Sequence, residues 1–162
     1  MIMKKIRNGV FETNSSSIHC ICIANNNNDS TLNIPNILFC QTDDYGWENR
    51  WYYDVNRKAD YLFTMICCSD NKDEYIERLR NILAKYGIIL DEHEYSEYYI
   101  DHSYEWGDTL EKLLGNDELL FSFLFDSNSF VGTSNDNGDC DELMKDVDRA
   151  EKDGFTVFMK YN

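Results

Sequence analysis

Residues 13–24 read T-N-S-S-S-I-H-C-I-C-I-A, and the fold turns on how that stretch divides. Its second half, 18–24, alternates and carries β-branched residues, which predicts a strand. Its first half is a polar run feeding that strand. Such runs are ordinarily loops that hydrogen-bond their own backbone. This one also presents an asparagine, three serines and His19, groups able to hold an anion or position a substrate.

Outward from there, strands and helices mix along the chain. N-N-N-N at 25–28 is a solvated loop, 37–41 a second short strand, and D-D-Y-G-W at 43–47 a turn. Residues 57–68 have helical periodicity through Ala59, Leu62, Phe63, Ile66 and Cys67. Residues 72–86 are the clearest helix. Tyr75, Ile76, Leu79, Ile82, Leu83 and Tyr86 share one face, Asp70 or Asn71 caps it, and Gly87 closes it. Short strands are expected at 88–90 and 97–101, and a helix from Asp108 to Leu114. The apolar run 117–126 suits helix or strand, and its phenylalanines favour a strand over the second half. A strand at 130–133, a helix from Asp139 or Asp141 to Lys152, and a strand at 155–160 complete the pattern. Short connections between strands favour antiparallel pairs. The expected class is therefore α+β, one domain over 1–162 with a mixed, mostly antiparallel sheet and about four helices.

Composition narrows the function classes. At 162 residues the chain suits one core. Aromatics reach 14%, which excludes a disordered chain. Thirty acids against fifteen bases give a net charge of -15. That field repels phosphates, so direct nucleic-acid binding is not expected, and it steers the protein toward basic surfaces. The six cysteines include no C-x-x-C pair. No apolar run approaches the roughly 20 residues of a membrane span, and the N-terminal residues lack a signal-peptide h-region. A cytoplasmic protein without a cofactor is expected.

Three polar clusters follow or precede strands: T-N-S-S-S with His19, Asp101-His102-Ser103, and S-N-D-N-G at 134–138. If those strand ends share one edge, His19, Asp101, His102 and Asp136 converge. They would supply acid–base groups near neutral pH or ligands for a divalent metal. A serine nucleophile among Ser15–Ser17 with a nearby histidine is a further option. The segment around Gly138 fails as a calcium loop, because Thr133 and Met144 fall where carboxylates belong. No phosphate-binding loop, H-E-x-x-H or G-x-S-x-G is present.

Acids cluster separately in D-E-H-E-Y-S-E at 91–97 and D-C-D-E-L-M-K-D-V-D at 139–148, with Asp43, Asp44 and Glu48 as a third group. Alternate carboxylates on an extended strand stand about 7 Å apart, a spacing that imitates nucleic-acid phosphates. Tyr95, Tyr98, Tyr99, Tyr104 and Trp106 flank the first cluster, and aromatics beside charge suit an interface.

R-N-G-V-F-E-T-N-S-S-S-I-H at 7–19 resembles the opening of a family of small, largely uncharacterised proteins from bacteriophages and mobile elements of low-GC bacteria, R-x-G-x-F-E-T-N-S-S-S-x-H. Y-G-W at 45–47, I-D-H-S at 100–103 and N-D-N at 135–137 also look like family signatures, with Tyr45 where phenylalanine is expected. The resemblance implies a phage setting, where small acidic proteins inhibit host defence. It also implies that His19, Asp101, His102 and Asp136 belong to motifs.

Two readings follow. The first is a phage-type inhibitor that occupies the basic groove of a nucleic-acid-binding host-defence protein, such as a CRISPR effector. Asp91, Glu92, Glu94, Glu97, Asp139, Asp141 and Glu142 would stand in for phosphates. The alternative is a small-ligand or nucleotide-processing enzyme whose site is His19, Asp101, His102 and Asp136.

Overall fold

A computed structural model describes residues 17–25, 32, 34–135 and 140–161. Its organising element is strand β1, Ser17–Ile23. β1 pairs antiparallel with β7 (Phe130–Asn135) on one side and β8 (Thr156–Tyr161) on the other. β4 (Arg50–Tyr52) pairs antiparallel with β7, giving the order β4-β7-β1-β8. A central strand is covered on both faces, which is why β1 is apolar at successive positions. Ile21 and Ile23 point into the main core, and Cys20 and Cys22 into a second, smaller one.

Helix α5 (Cys140–Lys152) closes the second core with Leu143, Val147 and Ala150. Gly132 lets it approach. A Cβ there would stand 2.4 Å from Leu143 Cδ1 and 2.9 Å from Cys20 Sγ. The opposite face carries α1 (Val55–Cys67), α2 (Lys72–Lys85), α3 (Gly107–Leu114) and α4 (Asp117–Phe125). Two short parallel pairs lie on that side: β2 (Ile37–Gln41) with β5 (Ile89–His93), and β3 (Asp44–Tyr45) with β6 (Tyr99–Ile100). A 3-10 turn, Ser103–Glu105, follows β6. The protein is an α+β domain with a mostly antiparallel main sheet.

Several expectations shift. Residues 117–125 form helix α4, not a strand in the second half, and Asp126 ends it in extended backbone; the described residues hold five α-helices. Asn116 caps α4, its Oδ1 accepting from Leu119 N at 3.1 Å, and Asp117 and Glu118 suit the positive end. The helix packs between α1, α3 and β1 and is buried on most sides. Its sequence therefore lacks the polar stripe that reveals a surface helix. Residues 43–47 include strand β3, and β4 was not expected. The strand expected over 97–101 shortens to β6. Helix α1 starts earlier than expected, because Asp54 caps it by accepting from Asn56 N and Arg57 N. Asp136 and Asp139 lie outside the described residues.

Lys58 is fully buried in α1. Its ammonium donates to Asp126 O at 2.7 Å and Ser129 O at 3.1 Å, tying α1 to the turn that leads into β7. Among the described residues no helix is long and apolar enough to cross a membrane.

Candidate functional site

The start of β1 is where the polar motifs meet. His19 points from β1 toward the helical face and is fully buried. One ring nitrogen, Nε2, lies 2.7 Å from the carbonyl of Gly46. A carbonyl only accepts, so Nε2 carries the hydrogen. Nδ1 then accepts from the Tyr61 hydroxyl, also at 2.7 Å. Burial holds the His19 pKa down to about 4, so the ring is neutral at pH 7 and Nδ1 is left to accept from Tyr61. The Gly46 carbonyl and Asp101 pull the other way more weakly, and His102 adds to the depression.

The Y-G-W loop is fastened to the sheet by three successive carbonyls. Gly46 O accepts from His19, Trp47 O from Asn135 Nδ2 at 2.8 Å, and Glu48 O from Thr133 Oγ1 at 2.6 Å. Thr133 and Asn135 sit opposite His19 and Ser17 in the β1–β7 register, so their side chains share that face. Glu48 folds back, accepting from Gly46 N at 2.6 Å.

The I-D-H-S stretch closes over this from the other side. Asp101 N donates to Tyr45 O at 2.9 Å, continuing the β3–β6 pairing. His102 has φ 63°, the only left-handed non-glycine residue among those described. That conformation costs of order 1–3 kcal/mol, and such strain gathers at functional sites. The His102 ring lies edge-on to His19, centroids 5.7 Å apart. Its Nε2 is 3.0 Å from both Ser17 Oγ and Ser17 O, and its Nδ1 is 2.6 Å from Glu105 Oε2.

Two polar atoms here are buried without a hydrogen-bond partner among the described residues: Asp101 Oδ2 and Tyr45 Oη. An unsatisfied buried carboxylate oxygen is costly, and the few that occur ask for an explanation. Burial raises the Tyr45 hydroxyl pKa above its usual value, with Arg57 opposing it.

His19, Asp101 and His102 are therefore brought together, with Asn135 of the N-D-N stretch at the same end of the main sheet. Asp136, Asn14, Ser15 and Ser16 lie outside the described residues. Sequence reading missed Glu105 and Tyr61. Glu105 carried a faint signal, a carboxylate three residues after His102 in a turn. Tyr61 carried none, being one apolar position among several on α1. Among the described residues no three His, Cys, Asp or Glu side chains are grouped to hold a metal ion.

The acidic residues are dispersed. Asp91, Glu92, Glu94 and Glu97 lie on or just after β5, on the helix-covered side of the main sheet. Glu92 pairs with Arg80, Glu94 with Lys72 at 2.5 Å, and Asp91 with His93 at 2.8 Å. The Lys72 ammonium and the Tyr98 hydroxyl hold the Glu94 carboxyl below its ordinary pKa, against the opposing effect of burial. Asp141 and Glu142 stand exposed in the first turn of α5, beyond the other face of the sheet.

Comparisons of the chain with protein-family models, curated proteins and solved structures found no match.

Proposed function

We propose that the protein acts on a small ligand at the cluster of Ser17, His19, Asp101 and His102, as an enzyme. The observation that supports this is convergence. Stretches far apart in the chain, at 17–19, 45–48, 101–105 and 133–135, meet at one end of the main sheet around a buried Asp101 oxygen that has no partner among the described residues. Structural packing alone would gain by replacing that oxygen with an apolar group. A ligand donor meeting it would account for its retention.

The test is a thermal-shift screen of small ligands, nucleotides included, on the unmodified chain and on Asp101→Asn and His102→Ala. A ligand present at 100 times its Kd stabilises by about 2.7 kcal/mol. The expected result is a rise in melting temperature that both substitutions abolish. A ligand shift that persists undiminished in both variants would remove the site.

A second reading rests on the charge of -15. In it the protein is a phage-type acidic inhibitor of a nucleic-acid-binding host-defence protein. Exposed Asp91, Glu97, Asp141 and Glu142 are its contact residues. Because these lie on two sides of the main sheet, the partner would have to embrace the protein or use one acidic group at a time. Pull-down from a related bacterial lysate at low and high salt tests it. Retention of one such protein that does not weaken with salt speaks against phosphate mimicry.

A further inference from the structure

We propose that Ser17, His102 and Glu105 form a nucleophilic relay that hydrolyses small, uncharged or cationic carboxylic esters. The proposal rests on the ligand-site reading above and names its reaction.

The geometry is that of a hydroxyl, an imidazole and a carboxylate in line. Ser17 Oγ to His102 Nε2 is 3.0 Å, and His102 Nδ1 to Glu105 Oε2 is 2.6 Å. Nucleophile and base within hydrogen-bond reach, with the base oriented by a third group, is the arrangement that activates serine. The carboxylate fixes the tautomer. Nδ1–H donates to Glu105, which leaves Nε2 free to accept the Ser17 hydroxyl hydrogen. Nε2 thus has two partners on Ser17, both at 3.0 Å: a hydroxyl that can donate to it and a carbonyl that can only accept from it, and the relay starts from the state in which the hydroxyl donates. The carbonyl becomes an acceptor once Nε2 is protonated, so both stages of a proton transfer have a partner in place.

His19 cannot play this part. Both its nitrogens are engaged by Gly46 and Tyr61. It sets the floor against which the His102 ring stands edge-on. The left-handed backbone at His102 turns its ring back toward the start of β1, which gives the strained conformation a purpose.

The reaction balances with water as the only co-reactant. Ser17 Oγ bonds to the ester carbonyl carbon while His102 Nε2 takes the hydroxyl proton. The tetrahedral adduct expels the alkoxide, which leaves as alcohol with that proton. Water then attacks the acyl-serine, giving its proton to Nε2. The adduct expels Ser17 Oγ, which recovers the proton, and the carboxylic acid departs.

Two features set the substrate class. Ser17 and the His102 side chain are each 3% exposed, so the acyl group must be small. Glu48 and Asp101 both face His19 within the cluster, and the chain as a whole is strongly acidic, so an anionic ester is disfavoured.

The decisive experiment treats the unmodified chain with a small fluorophosphonate and locates the adduct by peptide mass spectrometry. In that reaction the Oγ–P bond forms, the P–F bond breaks, and His102 accepts the proton as fluoride leaves. The expected result is one adduct, on Ser17, absent from Ser17→Ala and slowed roughly 10²–10⁴-fold in His102→Gln. Glu105 acts through His102, so Glu105→Gln should slow labelling and alter its pH profile, and Glu105→Asp should restore part of the rate. Far-UV circular dichroism confirms that each variant is folded. Absence of a Ser17 adduct in the unmodified chain overturns the relay, as does a Glu105→Gln pH profile identical to that of the parent. If Ser17 stays unlabelled while ligand shifts still depend on Asp101, the relay falls and the ligand site stands. If neither is seen, both fall.

Discussion

Lowering the pH from 7 to 4 should cost this protein stability through one buried ring. His19 is neutral in the fold, donating from Nε2 to Gly46 O and accepting at Nδ1 from Tyr61. Its pKa lies near 4 against 6.5 for an unconstrained histidine, chiefly because burial disfavours the imidazolium. Between those values the unfolded chain binds a proton that the native chain does not. Stability therefore rises with pH across the window and is lost as pH falls from about 6.5 toward about 4. At about 1.4 kcal/mol per unit, the gap amounts to about 3 kcal/mol, fully present at neutral pH.

Other groups also titrate in that range. Glu94 and Glu111, with lowered pKa values, lose stability as pH falls, and Asp60, with a raised one, gains it. A difference measurement cancels them. Urea unfolding of the parent and of His19→Gln, followed by tryptophan fluorescence at pH 7, 6, 5 and 4, gives two curves. Gln retains an amide able to donate to Gly46 O but has no titrating ring. The parent should lose about 3 kcal/mol more than the variant across the series. Parallel curves would refute the reasoning. They would mean that His19 is charged in the fold and compensated by Asp101, not held neutral by burial.

Other outcomes follow from single contacts. Lys58→Met should cost about 3 kcal/mol in urea unfolding, because it strands the buried carbonyls of Asp126 and Ser129. Gly132→Ala should destabilise by about 1–3 kcal/mol, since its methyl group collides with Leu143 and Cys20 in the packed second core; thermal melting reads this directly. Asn116→Ala should cost about 1 kcal/mol by removing the α4 cap, measured the same way.

The sequence by itself determined the elements whose pattern is local. Helix α2 was legible because Tyr75, Leu79, Ile82 and Leu83 recur at helical spacing beside a polar face. Strand β1 was legible from its β-branched alternation, and the α+β class from the mixture of elements. What the sequence left ambiguous was α4, where burial on most sides removes the periodic contrast between faces. It also left β4 unread, because three residues on an edge give no period to detect.

The site divides the same way. The sequence named His19, Asp101 and His102 as chemistry-bearing residues in polar stretches. Only the tertiary structure decided that they meet. The antiparallel β1–β7 register sets Ser17 opposite Asn135, and the β3–β6 pairing delivers Asp101 and His102 to the same end of the main sheet. It also separated two histidines that look alike in sequence. His19 has both nitrogens satisfied by groups 27 and 42 residues away, whereas His102 faces a serine 85 residues away and a carboxylate three residues on. The acidic groups carry the converse lesson. Charge is additive and readable from composition, but direction is not, and the main sheet puts β5 on one side and α5 on the other. Periodicity reports which way a residue faces within its own element. Which elements face each other depends on contacts distant in sequence, and those are fixed only when the chain packs.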